Sequence, residues 1–347
     1  MALTKVDTSM VESSGAFGRR NIIINGDYSI YQRTQQATGV GASATYPTAD
    51  RWVLNPSTEG RLTMTAGTAD APPESNVTTS LKLDCTTADT SVGAAQFCVL
   101  DQRIEGLNLQ HIKKGTSGAR QLTASFWVKG NASATYVVEL YDNDNARQVS
   151  KSFSVTSSWS KVELTFPADT TGAFDNDANL SLFFQIWLLG GSNFTSGTLS
   201  ETWTSVTQAN RAVGISNFFS STSNELYITA VQLEVGDVAT EFEYQSYGEK
   251  YMLCQRYYHK ADISGSLPFW LHPLTNSNTN YRRQNYNFPT RMRATPSMTV
   301  TCSGTGTETT SGVELTTSTK VGLINDMTAD SGQHYATCEA LVADAEM

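Results

Sequence analysis

Residues able to break covalent bonds do not gather into a recognisable pattern in this sequence. His111, His259, His272 and His334 share no ligand spacing, and no GxSxG, Walker, HExxH or GxGxxG motif occurs. Glycoside cleavage needs two carboxylates across a cleft. The nearest acidic pairs, Asp142/Asp144, Asp175/Asp177 and Glu234/Asp237, lie in or beside turn-rich stretches, where Asp serves the backbone. The first two also offer oxygen ligands to calcium, but neither continues into an EF-hand with its glycine and distal Glu. Cys85, Cys98, Cys254, Cys302 and Cys338 are scattered, with no CxxC, so they read as buried free thiols rather than a zinc site or disulfide framework. The chain is not expected to be an enzyme.

Its rings carry a different chemistry. A sugar presents apolar C–H faces that pack on aromatic rings, edged by hydroxyls that seek amide, carboxylate and guanidinium partners. Phe194 and Trp203 lie in the long polar stretch GGSNFTSGTLSETWTS. The segment PFWLHPLTNSNTNYRRQNYNF is the densest mixture of rings, amides and guanidinium groups, and contributes Trp270, His272, Tyr281, Arg282 and Tyr286. These seven are the candidate glycan-binding residues. The competing reading packs the same rings into a subunit interface. Trp52, Trp127 and Trp159 are expected in the core.

Such loops need a rigid support, and the sequence reads as strands almost throughout. RQLTASFWVKG sets Leu122, Ala124, Phe126 and Val128 against Gln121, Thr123, Ser125 and Trp127, the period of two that assigns alternate residues to opposite sheet faces. TYVVELYD, KSFSVTSSWSKVELTF, LSLFFQIWLL and ELYITAVQLEVG continue the pattern between Gly, Asn, Asp, Ser and Thr turns. An all-β fold follows, with a jelly-roll β-sandwich over residues 21–245 and a smaller C-terminal β domain over residues 261–347. Residues 1–20 read as an N-terminal arm. Residues 246–260 read as a linking helix, because Tyr247, Tyr251, Cys254 and Tyr258 form one stripe at helical spacing. That stripe either packs on its own sandwich or lines an oligomer axis.

Composition excludes further classes. At 347 residues with 39% hydrophobic and only 16% charged, the chain can bury a core and does not read as disordered. A net charge of −9, with no basic cluster beyond Arg282–Arg283 and Arg291–Arg293, disfavours nucleic acid. No apolar run is long enough to span a membrane, so no membrane insertion is expected, and the first twenty residues hold no secretory signal.

NIIINGDYSIYQR, YPTADRW, SFWVKG, FPADTTGAFDNDANLSLFFQIWLLGG, VQLEVGDVATEFEYQSYGEKYMLCQRYYHK and the terminal DAEM together resemble a family of bacteriophage tail-fibre and receptor-binding proteins, abundant in phages of marine bacteria and cyanobacteria. The opening MALTKVDTSMV is similar to a segment common to many phage tail spikes and fibres. The resemblance spans most of residues 1–260 and touches the remainder only at RMRATP and DAEM. It implies a carbohydrate-binding-module-like jelly roll, a place on the virion, most simply the tail, and a homotrimer. It also implies a structural calcium near Asp27 and Glu234, although the last strand has Gln232-Leu233-Glu234 in place of the usual paired acids; no other cofactor is implied. The expected function is attachment to host cell-surface polysaccharide without cleavage, with residues 1–20 docking onto other virion proteins. The alternatives are a capsid-decorating or tail-bridging protein without glycan binding, and a polysaccharide depolymerase. Tail depolymerases usually carry a long parallel β-helix, and this sequence lacks its repeating rungs.

Overall fold

The computed structural model describes residues 19–262, 280–305, 308–327 and 335–347. The chain divides into two compact units between Gln245 and Ser246, and both are β-sandwiches.

The first unit contains, in chain order, β1 (Gln36–Val40), β2 (Trp52–Ser57), β3 (Arg61–Thr68), β4 (Ser80–Thr87), β5 (Phe97–Glu105), β6 (Leu122–Gly130), β7 (Ala134–Asp142), β8 (Arg147–Val155), β9 (Ser160–Phe166), β10 (Leu180–Gly190), β11 (Thr204–Ser205) and β12 (Glu225–Val235). One antiparallel sheet has the order β1-β3-β4-β12-β6-β9 and will be called the front sheet. The other, the back sheet, has the order β11-β8-β7-β10-β5-β2. Their inner faces supply one core. Leu83, Phe126, Val128 and Ile228 come from the front, and Leu100, Leu140, Phe184 and Ile186 from the back, all buried. Each such side chain, once buried, is worth about 1.5–3 kcal/mol, so the parity of every strand is fixed by its apolar set.

The segment NIIINGDYSIY closes one flank by hydrogen bonding rather than by pairing as a strand. The Asn21 amide donates to Val231 O at 3.1 Å and accepts from the Ile23 and Leu233 amides. The Gln102 side chain clasps Ile24 through both its N–H and its carbonyl, at 2.7 and 2.8 Å. The Asn25 amide binds Ile30 and Asp50, and the Trp52 indole donates to Asn25 O. Gly26 lies so near β12 that a Cβ there would stand 2.0 Å from Val231 O. Of the arm, residues 1–18 lie outside the described residues. At its described end, the amides of Arg20 and Asn21 are both held by the Glu243 carboxylate at 2.9 Å.

In the second unit, β13 (Tyr258–Asp262), β15 (Ser297–Thr305) and β18 (Tyr335–Asp344) form one antiparallel sheet. β14 (Asn280–Asn287), β16 (Glu308–Thr316) and β17 (Lys320–Met327) form another. Phe288, Met292, Val321, Leu341 and Ala343 are buried together. The helix is shorter than its sequence stripe. It runs from Tyr247 to Gln255 and groups with this second unit. A capping box between Ser246 and Glu249 starts it. Tyr258 leaves the stripe because it pairs with Asp344 in the sheet, a long-range ladder that overrides local helical spacing.

Candidate functional site

Strand parity decides what the front sheet presents to solvent. Leu226 and Ile228 of β12 point inward, so Tyr227 points outward, and Phe126 and Val128 of β6 likewise put Trp127 and Lys129 outside. In register, Tyr227 stands between Lys82 of β4 and Lys129 of β6, and Trp127 stands between Thr229 and Lys161 of β9. Trp159 precedes β9 on the same face. Trp127, Trp159 and Tyr227 are all half-buried. The expectation that Trp127 and Trp159 belong to the core is therefore corrected. Trp52 is fully buried and packs on Tyr28 at 5.0 Å.

Trp159 and Tyr227 are held by charge. The Trp159 and Tyr227 centroids lie 6.2 Å apart, edge to face. The Lys129 ammonium stands 5.1 and 4.5 Å from those two centroids and 2.6 Å from Asp70 Oδ2, and Trp159 Nε1 donates to Asp70 Oδ1 at 3.1 Å. The hydrogen bond from Lys129 holds the Asp70 carboxyl below the usual aspartate range. On the other side, Lys82 binds Glu225 at 2.7 Å and lies 5.5 Å from the Tyr227 centroid. Beside Trp127 opens a cavity of about 200 Å³, lined by Trp127, Lys161, Ser125, Phe242, Glu74 and Glu241. Its wall includes Ala230, a non-glycine residue with φ of 52° at an irregularity in β12. The face thus combines partly exposed aromatic rings with charged groups fixed around them.

The outer face of the back sheet is covered in part, and Tyr141 and Phe183, 5.6 Å apart, remain half-buried on it. Residues 191–217 fold across it, putting Phe194, Leu199, Ala212 and Ile215 over Val99, Val137 and Trp187. Arg211 fastens this cover. It grips Glu139 through Nε and Nη2 at 2.9 and 3.0 Å and Gln185 at 3.0 Å, and stacks over Tyr141 and Trp187.

Of the ring-bearing residues named from sequence, Phe194, Trp203 and Tyr286 are packed within their units. Phe194, in the one-turn helix α1 (Ser192–Thr195), packs on Phe97 and Trp187 at 5.6 and 5.3 Å, so it is part of the cover. Trp203 packs against the main core and donates its indole N–H to Pro167 O at 2.9 Å. Lys114 lies 5.2 Å from the Trp203 ring and is itself enclosed by Asp142, Asp169 at 3.0 Å, and the carbonyls of Thr171 and Gly172. Asp142 is thereby spent on an ammonium ion. Trp270 and His272 lie outside the described residues. Tyr281 and Arg282 stand in β14, opposite Asp326 and Asn325 of β17. Tyr286 stacks on buried His259, with its hydroxyl 2.7 Å from Nε2, and packs on the second core.

Along α2 (Tyr247–Gln255), Tyr247 is 63% exposed and stacks on Tyr251 at 5.9 Å, whereas Cys254 is buried. Cys85, Cys98 and Cys254 are buried free thiols. Asp27 and Glu234 are engaged separately. Ser29 donates to Asp27 at 3.1 Å, while Glu234 accepts from Gln232 and from the amide and hydroxyl of Thr240 at 2.8 to 3.0 Å. Among the described residues, no three His, Cys, Asp or Glu side chains form a group able to hold a metal ion.

No family model matches the chain, and no curated protein matches it. Several solved structures are similar to part of it. A family 4 carbohydrate-binding module is 13% identical, with 61% of this chain and 98% of that chain covered at a TM-score of 0.32. The enzymatically active domain of tailspike protein 4 of bacteriophage CBA120 is 13% identical, with 62% of this chain and 21% of that one covered at 0.31. The family 11 carbohydrate-binding module of a cellulosomal cellulase of Clostridium thermocellum is 10% identical, with 54% and 88% covered at 0.28.

Proposed function

We propose that the first unit binds a saccharide chain on the outer face of its front sheet and does not cleave it. One observation carries the reading. Trp127, Trp159 and Tyr227 are half-buried on a single sheet face, where Lys129, Asp70, Lys82 and Glu225 fix Trp159 and Tyr227 and a cavity opens beside Trp127. Buried aromatic surface stabilises the fold, whereas three rings left partly exposed on one rigid face are available to a ligand. Asp70 and Glu225 on this face are already engaged by lysines, which suits them to orienting rings rather than transferring protons. Glycan-array binding of the full chain, compared with its Trp127→Ala and Tyr227→Ala variants, tests the proposal. Binding that survives both substitutions would refute this placement. Release of reducing ends from a bound polysaccharide would convert the reading to a depolymerase.

The biological setting we propose is the tail of a phage virion, where the chain attaches to host surface glycan. Support comes from the resemblance of the NIIINGDYSIYQR, VQLEVG and SYGEKYMLCQRYYHK runs to tail-fibre proteins. A homotrimer suits this role, because repeated weak sugar contacts gain from avidity. Exposed Tyr247 and Met252 on the helix offer apolar surface to a partner chain. Residues 1–20 are the proposed attachment arm. Solution mass and labelling of the chain on intact particles test these points: a monomer overturns the trimer, and a signal on the head replaces the tail with a capsid-decorating role.

A further inference from the structure

A second cavity, of about 440 Å³, lies at one end of the first sandwich beside the loop that carries the chain from β6 in the front sheet to β7 in the back sheet. That volume falls within the range of roughly 300–1,000 Å³ typical of small-ligand clefts. Tyr136, Val155 and Leu226 give it an apolar floor, and Asn131, Asn224 and Glu225 stand among the polar residues around it. The two amides are only partly spent. Asn131 uses its carbonyl oxygen to accept from the Glu225 amide at 3.0 Å, which leaves its Nδ2 donors. Asn224 uses its Nδ2 on Phe218 O and Ser220 Oγ at 2.9 and 3.1 Å, which leaves its carbonyl oxygen. Glu225 is the one charged residue among those described in the lining, and Lys82 neutralises it at 2.7 Å. An apolar floor with an unspent donor and acceptor, and a single carboxylate already paired with a lysine, matches an uncharged polyol.

Glu225 also belongs to the ring row. Its other carboxylate oxygen lies 3.4 Å from the Tyr227 hydroxyl, and Tyr227 is two residues further along β12, about 7 Å at strand rise. The row and the cavity therefore share a wall. We infer that the cavity receives the terminal, uncharged sugar of a chain whose body lies along Trp127, Trp159 and Tyr227, an inference that rests on the saccharide-binding reading of that row. The protein would then read chain ends rather than chain interiors.

Amide and indole spectra of the labelled full chain, titrated with D-glucose, D-galactose, D-mannose, L-rhamnose and N-acetyl-D-glucosamine, test this. At least one of these sugars should shift the backbone signals of residues 131–134 and of Asn224. Ser133→Trp, which fills the cavity, should weaken that response by about tenfold or more while the Trp127 indole still responds to the matching hexasaccharide. The two readings fail on different signals. If none of the sugars moves residues 131–134 and Asn224, or if Ser133→Trp leaves their response unchanged, the end site is overturned. If the Trp127 and Trp159 indoles ignore the hexasaccharides, the ring row is overturned, and the chain-end inference with it.

Discussion

The ammonium group of Lys129 lies 4.5 Å from the centre of the Tyr227 ring, across the β6–β12 register that sets the two residues opposite each other. The same group holds Asp70, which in turn holds the Trp159 indole. One lysine thus fixes the relative pose of two rings. Exposed ion pairs contribute about 0–1 kcal/mol to folding, so Lys129→Met should leave the denaturation midpoint nearly unchanged while weakening saccharide binding severalfold. Calorimetric titration alongside thermal unfolding separates the two effects. Asp70 sets the pH dependence. Because its carboxyl is held below the usual aspartate range, the clamp is complete above that range and is lost as pH falls through the lowered value. Binding measured across acid pH should fall there, and Asp70→Asn should abolish that fall.

Phe126 and Trp127 are neighbours in sequence and opposites in role. Phe126 is buried and meets Phe153 edge-on at 5.0 Å, whereas Trp127 is only half-buried, at the front cavity. Phe126→Ala should cost about 3–5 kcal/mol in urea unfolding and spare binding in whatever fraction stays folded. Trp127→Ala should cost far less stability and about tenfold in affinity. The reverse pattern in paired unfolding and binding measurements would exchange their assignments.

Much of the sandwich could be read from alternation, because Leu122, Ala124, Phe126 and Val128 share one parity and all reach the core. The same alternation contained the site. Trp127 has the parity of Gln121, Thr123 and Ser125, and Tyr227 that of Glu225, which marks both rings as outward. Treating tryptophan as a core residue by type overrode this positional signal. Phe194 and Trp203 lie in a polar, turn-rich stretch, and nothing local indicates that residues 191–217 will fold back over Val137 and Trp187, strand residues far apart in sequence. Nor does spacing show that NIIINGDYSIY binds Val231 and Leu233, since a hydrogen-bonded latch between distant segments leaves no periodicity.

Lys114 is 5% exposed, with its ammonium enclosed by Asp142, Asp169 and two carbonyls. Arg147 also neutralises Asp169 at 2.7 Å, so Asp142 depends most on the lysine. Lys114→Met should therefore cost about 3–5 kcal/mol, the usual consequence of leaving one buried ion uncompensated. Adding Asp142→Asn should recover part of the loss, and a urea-unfolding double-mutant cycle would measure how much.

Gly26 tests the latch. The missing Cβ is what lets the backbone approach β12, where Val231 N donates to Gly26 O at 2.9 Å. Gly26→Ala forces the two segments apart and should cost about 1–3 kcal/mol. Amide exchange at residues 21–31 should rise further than exchange in β6 or β10. Uniform loosening of the whole sandwich would argue against a local latch.

His259 gives the second unit its own response to acid. Its ring is 4% exposed, stacked on Tyr286 and edge-on to Phe288. Gln255 Nε2 lies 3.0 Å from Nδ1, and the Tyr286 hydroxyl 2.7 Å from Nε2. With the glutamine donating to Nδ1, the neutral tautomer carries its proton on Nε2 and donates to Tyr286. A second proton would have to enter a buried site already satisfied by hydrogen bonds, and burial pulls the imidazole down to about 4. An unfolded histidine titrates near about 6.5. Between those values the unfolded chain binds a proton that the folded chain refuses, so stability rises with pH through that window. The contribution is complete above the upper value and is lost as pH falls towards the lower one. Hydrogen exchange in β13 and β18 should therefore speed up between neutral pH and pH 4, after correction for intrinsic rates, while β6 and β12 of the first unit change less. His259→Gln should start from lower protection and flatten the slope. Equal slopes in that variant and the natural protein would assign the acid sensitivity to another group.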